Sequence, residues 1–121
     1  MLAGCSSSSS ALDGTQWRLV GWSVSSLNPA DFTINADFAK GQISGKSGVN
    51  RYSGPVQVGP GTAFAAGPLA VTEMAEPEPA MRAESAYLKL FSEAKTHTIA
   101  NGKLILHDQG GNESLIYEPA K

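Results

Sequence analysis

Between Thr15 and Met74 the apolar residues come in short alternating runs broken by glycine and proline, whereas from Met81 to Ala94 they recur every three or four residues. The first pattern is that of short β-strands and the second that of an amphipathic helix. Trp17, Leu19 and Gly21 alternate with Arg18, Val20 and Trp22, a strand with one aromatic on each face; Phe32 and Ile34 alternate next, followed by Phe38. Gly41, Gly45, Gly48 and Gly54 then punctuate a stretch whose apolar members are Ile43, Val49, Tyr52, Val56 and Val58. Glycine at such spacing marks tight turns, bulges or strongly bent strands, which predicts a curved, partly closed sheet. Pro79 suits a first helical position, and Met81, Ala83, Tyr87, Leu88, Leu90, Phe91 and Ala94 give one helix of about four turns.

The end of the chain reads as a β-meander. Asn101-Gly102 between THTIA and KLILH is the signature of a two-residue type I′ hairpin. Such a turn places Ile99 opposite Leu104, His97 opposite Leu106, Thr98 opposite Ile105 and Thr96 opposite His107. Alternation then puts His97, Ile99, Leu104 and Leu106 on the core face and His107 on the other. Asp108–Asn112 turns the chain into a last strand, Ser114–Tyr117, stopped by Pro119. The resulting fold class is α+β: a strongly bent antiparallel sheet, a partly open barrel of about seven or eight strands, packed against one amphipathic helix.

Composition changes this picture at the N-terminus. Residues 1–11, MLAGCSSSSSA, are serine-rich and uncharged, and such a segment buries too little apolar area to offset its ordering entropy. They read as a flexible tether, with the folded domain running over residues 12–119. The chain has 121 residues, enough for one domain, and its sole cysteine, Cys5, lies in the tether, so no intrachain disulfide is possible. Its 9 basic and 11 acidic residues form no run or stripe, which excludes the clustered basic footprint of a nucleic-acid partner. No stretch is apolar enough for the ~20 residues that cross a bilayer as a helix.

Candidate chemistry is sparse. The hairpin register points His97 and His107 to opposite faces, so they cannot share an ion, and structural zinc needs about four converging ligands. No serine lies in a Gly-x-Ser-x-Gly elbow, and no glycine loop opens a helix to cradle phosphate. The expectation is a domain with no enzymatic activity, no cofactor and no metal. Glu84 is the polar residue out of place, three residues after Met81 and four before Leu88 on the apolar stripe. A buried carboxylate must be paired or hydrogen-bonded. One reading tethers the helix through Glu84 to a loop, by Arg51 or by backbone amides near Gly48–Asn50; the other makes it a ligand-facing carboxylate.

Two resemblances add to this. Leu2-Ala3-Gly4-Cys5 resembles a bacterial lipobox, whose cysteine takes a diacylglycerol thioether, and Met1 directly before it suggests a chain trimmed of its signal peptide. The resemblance implies three acyl chains at ~0.8 kcal/mol per buried CH₂ and, with Ser6 after the cysteine, an outer-membrane anchor facing the periplasm. Leu12 would then lie at most ~25 Å from the lipid.

The second resemblance spans the domain. Trp17 and Leu19, Phe38 with Gly45, the stretch Gly48-Val49-Asn50-Arg51-Tyr52-Ser53-Gly54, Thr72-Glu73-Met74-Ala75, Met81-x-x-Glu84 with Tyr87 and Leu88, Leu104-x-Leu106, Gly111 and Leu115-x-Tyr117 resemble the META domain family, which includes the HslJ-type heat-shock lipoproteins. Cysteines frequent in that family are replaced here by Val49 and Glu76, which removes a bridge worth ~3 kcal/mol. The resemblance implies a bent sheet around one helix, no cofactor, and an association with heat shock, envelope stress and drug tolerance. The functional expectation is a non-catalytic envelope lipoprotein domain, a module that binds an envelope protein or serves the envelope under stress. The alternative is a pilotin-like carrier holding an acyl chain or apolar peptide in a cleft bordered by Trp17, Leu88, Phe91 and Leu106. Trp22 is expected in the core; an exposed Trp22 would mark a binding patch.

Overall fold

A computed structural model describes residues 12–23, 28–59, 63–72 and 79–120. The elements are β1 (Gln16–Trp22), a 3-10 turn (Pro29–Asp31), β2 (Asn35–Ala39), β3 (Gln42–Lys46), β4 (Arg51–Val58), β5 (Phe64–Ala66), β6 (Ala70–Val71), α1 (Ala80–Ser92), β7 (Thr96–Ala100), β8 (Lys103–His107) and β9 (Glu113–Pro119). Every pairing is antiparallel, in the order β5-β4-β3-β2-β1-β9-β8-β7, with β6 a further strand on β4. The two ends of that path meet: Ala63 bridges Thr96, and the Phe64 amide donates to the Lys95 carbonyl at 3.0 Å. The result is a nearly closed eight-stranded antiparallel barrel plus one helix, the α+β architecture expected from the sequence.

Two hairpin turns sit at one end of this barrel. Asn101 and Gly102 have φ of 55° and 76°, as a type I′ turn requires, and the β7–β8 register is the one derived from that turn. Lys40 and Gly41, at 56° and 78°, make a second turn of this kind between β2 and β3, where no Asn-Gly signal stands. Leu12 lies at the same end: the Gly14 amide donates to the Phe38 carbonyl, and the Asp13 carboxylate accepts the Lys40 amide. Leu12 is fully buried.

The helix covers the opposite end. Its buried positions Ala83, Glu84, Tyr87 and Phe91 recur at steps of one, three and four, the stripe that faces inward. Pro79 stands one position earlier than expected, at the N-cap, and the helix runs 13 residues. Phe91 packs edge-on to Phe64 and Tyr52, and a single cluster reaches from Leu12 and Trp17 through Phe38, Tyr87 and Leu106 to Leu115. Trp22 is half-buried and packs against this cluster, after a bulge between Leu19 and Gly21 shifts the register of β1 on β9.

Ile99 corrects the sequence reading. It shares an inward face with buried His97 and Leu104, yet 45% of its surface is exposed. The reason is position along the strand: Ile99 is the last inward residue before the Asn101–Gly102 turn, at the end remote from α1, whereas His97 lies further in, beside the Phe64 ring.

Candidate functional site

Two buried polar networks join α1 to the barrel, and both start from residues on its inward stripe. Glu84 is 5% exposed. Its Oε1 accepts from the Asn50 amide at 2.6 Å, the Ser47 hydroxyl at 2.8 Å and the Val49 amide at 3.1 Å; its Oε2 accepts from Asn50 Nδ2 at 2.7 Å. Burial alone would raise the carboxyl pKa. The Asn50 side chain and amide, Ser47 and Val49 together outweigh it and hold Glu84 below the ordinary carboxylate value. The group is therefore an anion at neutral pH, caged by neutral donors.

The cage is the loop between β3 and β4. Ser47 bridges Ile34 and donates its amide to the Asn50 carbonyl at 2.9 Å, which curls the loop so that successive amides point the same way. The Ser47 hydroxyl also lies 3.0 Å from that carbonyl, but its single proton favours the charged acceptor. Beyond the cage, the Thr72 hydroxyl donates to Asn50 Oδ1 at 2.8 Å, and the Arg51 amide donates to Thr72 Oγ1 at 3.1 Å. Of the residues marked by sequence, the structure brings Glu84 and Asn50 together and leaves the Arg51 side chain exposed. Strand parity is the reason: Tyr52 points inward in β4, so Arg51 and Ser53 on either side point outward. Glu84 is thus held by the loop's amides, and not by an Arg51 ion pair.

One helical turn on, Tyr87 enters the barrel. Its hydroxyl lies 2.6 Å from that of Tyr52 on β4 and 2.8 Å from that of Tyr117 on β9. The Tyr52 hydroxyl also reaches the Asn35 carbonyl on β2 at 2.7 Å. A carbonyl can only accept, so Tyr52 spends its proton there; Tyr87 then donates to Tyr52, and Tyr117 to Tyr87. Burial pushes all three phenols well above the ordinary value of 10.0, and the charge of one other phenol adds to it in each case: Tyr87 on Tyr52, Tyr117 on Tyr87 and Tyr52 on Tyr117. These are all the tyrosines of the chain. Sequence periodicity counts them as apolar positions, so the network leaves no mark in it; Ser47 and Thr72 were missed for the same want of a pattern.

The other marked residues fall elsewhere. Trp17, Phe91 and Leu106 are buried in the common core and Leu88 is half-buried against it. Open clefts lie on other surfaces, one between Ser92, Lys95 and Asp108 and one along Arg51, Ser53 and Val71. His97 is buried beside the Phe64 ring, His107 is half-buried on the opposite face, and among the described residues no three His, Cys, Asp or Glu converge as a metal site. Cys5, Glu73, Met74 and Glu76 lie outside the described residues. What the two networks do chemically is fix α1 on the barrel, since every lone pair of Glu84 Oε1 and every tyrosine proton is spent internally.

Comparison with known proteins places this arrangement. The family model described as META domain matches residues 10–121, and the chain belongs to that family. A protein from Burkholderia xenovorans, solved by NMR, is 25% identical with a TM-score of 0.75, over 91% of this chain and 84% of its own. A second NMR structure is 21% identical with a TM-score of 0.68, over 90% and 92%, and shares the fold. No curated protein matches.

Proposed function

We propose that this META domain is the folded part of a bacterial envelope lipoprotein, anchored to the outer membrane through Cys5 and acting as a non-catalytic module that binds another envelope component. The observation that carries the reading is the internal saturation of the site. The carboxylate and the three hydroxyls that would otherwise be the best candidates for chemistry are consumed in holding α1 down, and the residues marked for an apolar cleft are packed as core. The cysteine stands seven positions before the first core residue, Leu12, in a lipobox-like sequence. That spacing suits a lipid anchor set close to the barrel.

The test is acylation and crosslinking in a Gram-negative host, with the chain placed behind a lipoprotein signal peptide. Labelled palmitate is expected on the protein and absent from Cys5→Ala, with the protein in the outer-membrane fraction and a discrete protein adduct after crosslinking in intact cells. Equal label on Cys5→Ala, or a soluble periplasmic protein, overturns the anchor. A copurifying acyl chain in place of a protein adduct overturns the interaction module in favour of a carrier.

A further inference from the structure

We infer that the barrel stands on the membrane with its two-turn end downward, the Lys40–Gly41 and Asn101–Gly102 turns and Ile99 meeting the lipid surface, and α1 facing away. This rests on the lipid anchor proposed at Cys5.

The register fixes which residues share that end. Gln16 opposite Asp37, Trp17 opposite Pro119, Leu104 opposite Tyr117 and Ile99 opposite Leu104 bring Leu12–Gln16, the Lys40–Gly41 turn, Pro119 and the Asn101–Gly102 turn to one rim. Chain enters the domain there, at Leu12. Seven residue steps from Cys5 span at most ~25 Å, and a seven-residue strand such as β1 spans about 23 Å. The near rim can touch the lipid with the connection slack; the α1 end can do so only with it drawn out along the barrel wall. The near rim therefore meets the surface at far higher effective concentration.

That rim also has the right chemistry. Ile99 is the one large hydrophobic residue exposed among those described, left uncovered at this rim. Lys103 follows the Asn101–Gly102 turn and Lys40 stands in the other turn of this rim, both exposed, where their aliphatic stems can lie against lipid, with the Lys40 ammonium among headgroups. Two acidic groups at this rim have partners within the protein. Glu118 faces Arg18 at 3.5 Å and Lys103 at 4.0 Å, and the Asp13 carboxylate is taken by the Lys40 amide. At the far end Glu93 and Asp108 stand beside an open cleft, leaving that side to face the aqueous space and its proteins.

The sole cysteine allows a direct test. Isotope-labelled protein is coupled through Cys5 to maleimide lipid in nanodiscs of phosphatidylcholine and phosphatidylglycerol that carry a gadolinium headgroup lipid. Amide signals of Lys40–Gln42 and Ala100–Lys103 are expected to lose intensity several-fold more than those of Ser92–Lys95 and Asp108–Asn112. The triple variant Ile99→Gln, Lys40→Gln, Lys103→Gln, with its folded spectrum retained, is expected to lose the contrast. Even broadening in the parent protein, or stronger broadening at the α1 end, overturns the orientation; a triple variant that keeps the full contrast overturns the lipid contact of these three side chains. Because the coupling is chemical, failure of Cys5 to take palmitate in cells counts against the anchor alone, and an unoriented barrel on the nanodisc counts against the orientation alone.

Discussion

The hydroxyl of Tyr87, on the helix, lies 2.6 Å from that of Tyr52, on the barrel wall, with the two rings edge-on at 5.4 Å between centroids. Because Tyr52 also donates to the Asn35 carbonyl, the pair has a fixed polarity: the helix donates and the wall accepts. Replacing Tyr87 with Phe removes two bonds and leaves two buried phenol oxygens short of a partner, whereas Tyr117→Phe removes one. At about 1–1.5 kcal/mol per bond, Tyr87→Phe is expected to cost about 2–3 kcal/mol and Tyr117→Phe about half that. Urea unfolding measures both; equal costs would contradict the central place of Tyr87 in the chain of hydroxyls.

The same burial makes the chain silent in an alkaline titration. All three phenols are raised well above 10.0 in the fold, so the folded state holds their protons more tightly than the unfolded chain does. Stability from this source is complete below about pH 10 and falls as pH rises through the folded values. Tyrosinate absorbance is expected only together with loss of the far-ultraviolet strand signal. A hyperchromic step in a still-folded protein would show that one phenol reaches solvent.

Glu84 has the opposite sign. Its pKa is lowered in the fold from an ordinary 4.5, so its contribution is present above that value and disappears as pH falls through the folded one. Glu84→Ala leaves the Asn50 and Val49 amides buried without an acceptor and is expected to cost about 3 kcal/mol or more. Glu84→Gln keeps an acceptor but turns a donor toward Asn50 Nδ2, and should cost about 1–2 kcal/mol. Midpoints of denaturation from pH 3 to 7 should converge for Glu84→Gln and the parent at the acid end. Parallel curves would mean the charge is not what the loop binds.

Gly45 is a test of close packing between strands. A Cβ there would fall on the Asn35 carbonyl oxygen, well inside contact distance, and 2.7 Å from Asn35 Oδ1. That carbonyl ends the tyrosine chain, and the amide oxygen accepts from Lys46. Gly45→Ala is therefore expected to cost about 2–3 kcal/mol and to move the Tyr52 hydroxyl signal. Gly14→Ala, in open space, would lack that signature. An unshifted Tyr52 in Gly45→Ala would place the strain elsewhere.

What could be read in advance followed from short-range geometry. The 96–107 hairpin is right to the residue because a two-residue turn leaves no freedom in pairing, and Glu84 stood out because a carboxylate interrupts an apolar stripe. Long-range pairing has no such mark. Nothing in Gln16–Trp22 or Glu113–Pro119 says that these strands lie side by side, so a barrel was legible but its strand order was not. Arg51 was a candidate for Glu84 on charge, but one step of strand parity decides that Asn50 meets it. Ile99 was placed inward because alternation fixes a side chain's face and is blind to how far along the strand the packing extends.

The seating of the final strand between β1 and β8 orders events in the life of the chain. A polypeptide still being made has no neighbour for the second edge of its opening strand until Pro119 has emerged, and Tyr117 cannot complete the phenol chain before then. Every shorter product leaves backbone groups of β1 and β8 unsatisfied. Assembly is thus a single late event governed by the pairing of the two ends, slow for a domain of this size, and truncation by a few C-terminal residues should forfeit the whole barrel and not merely its edge.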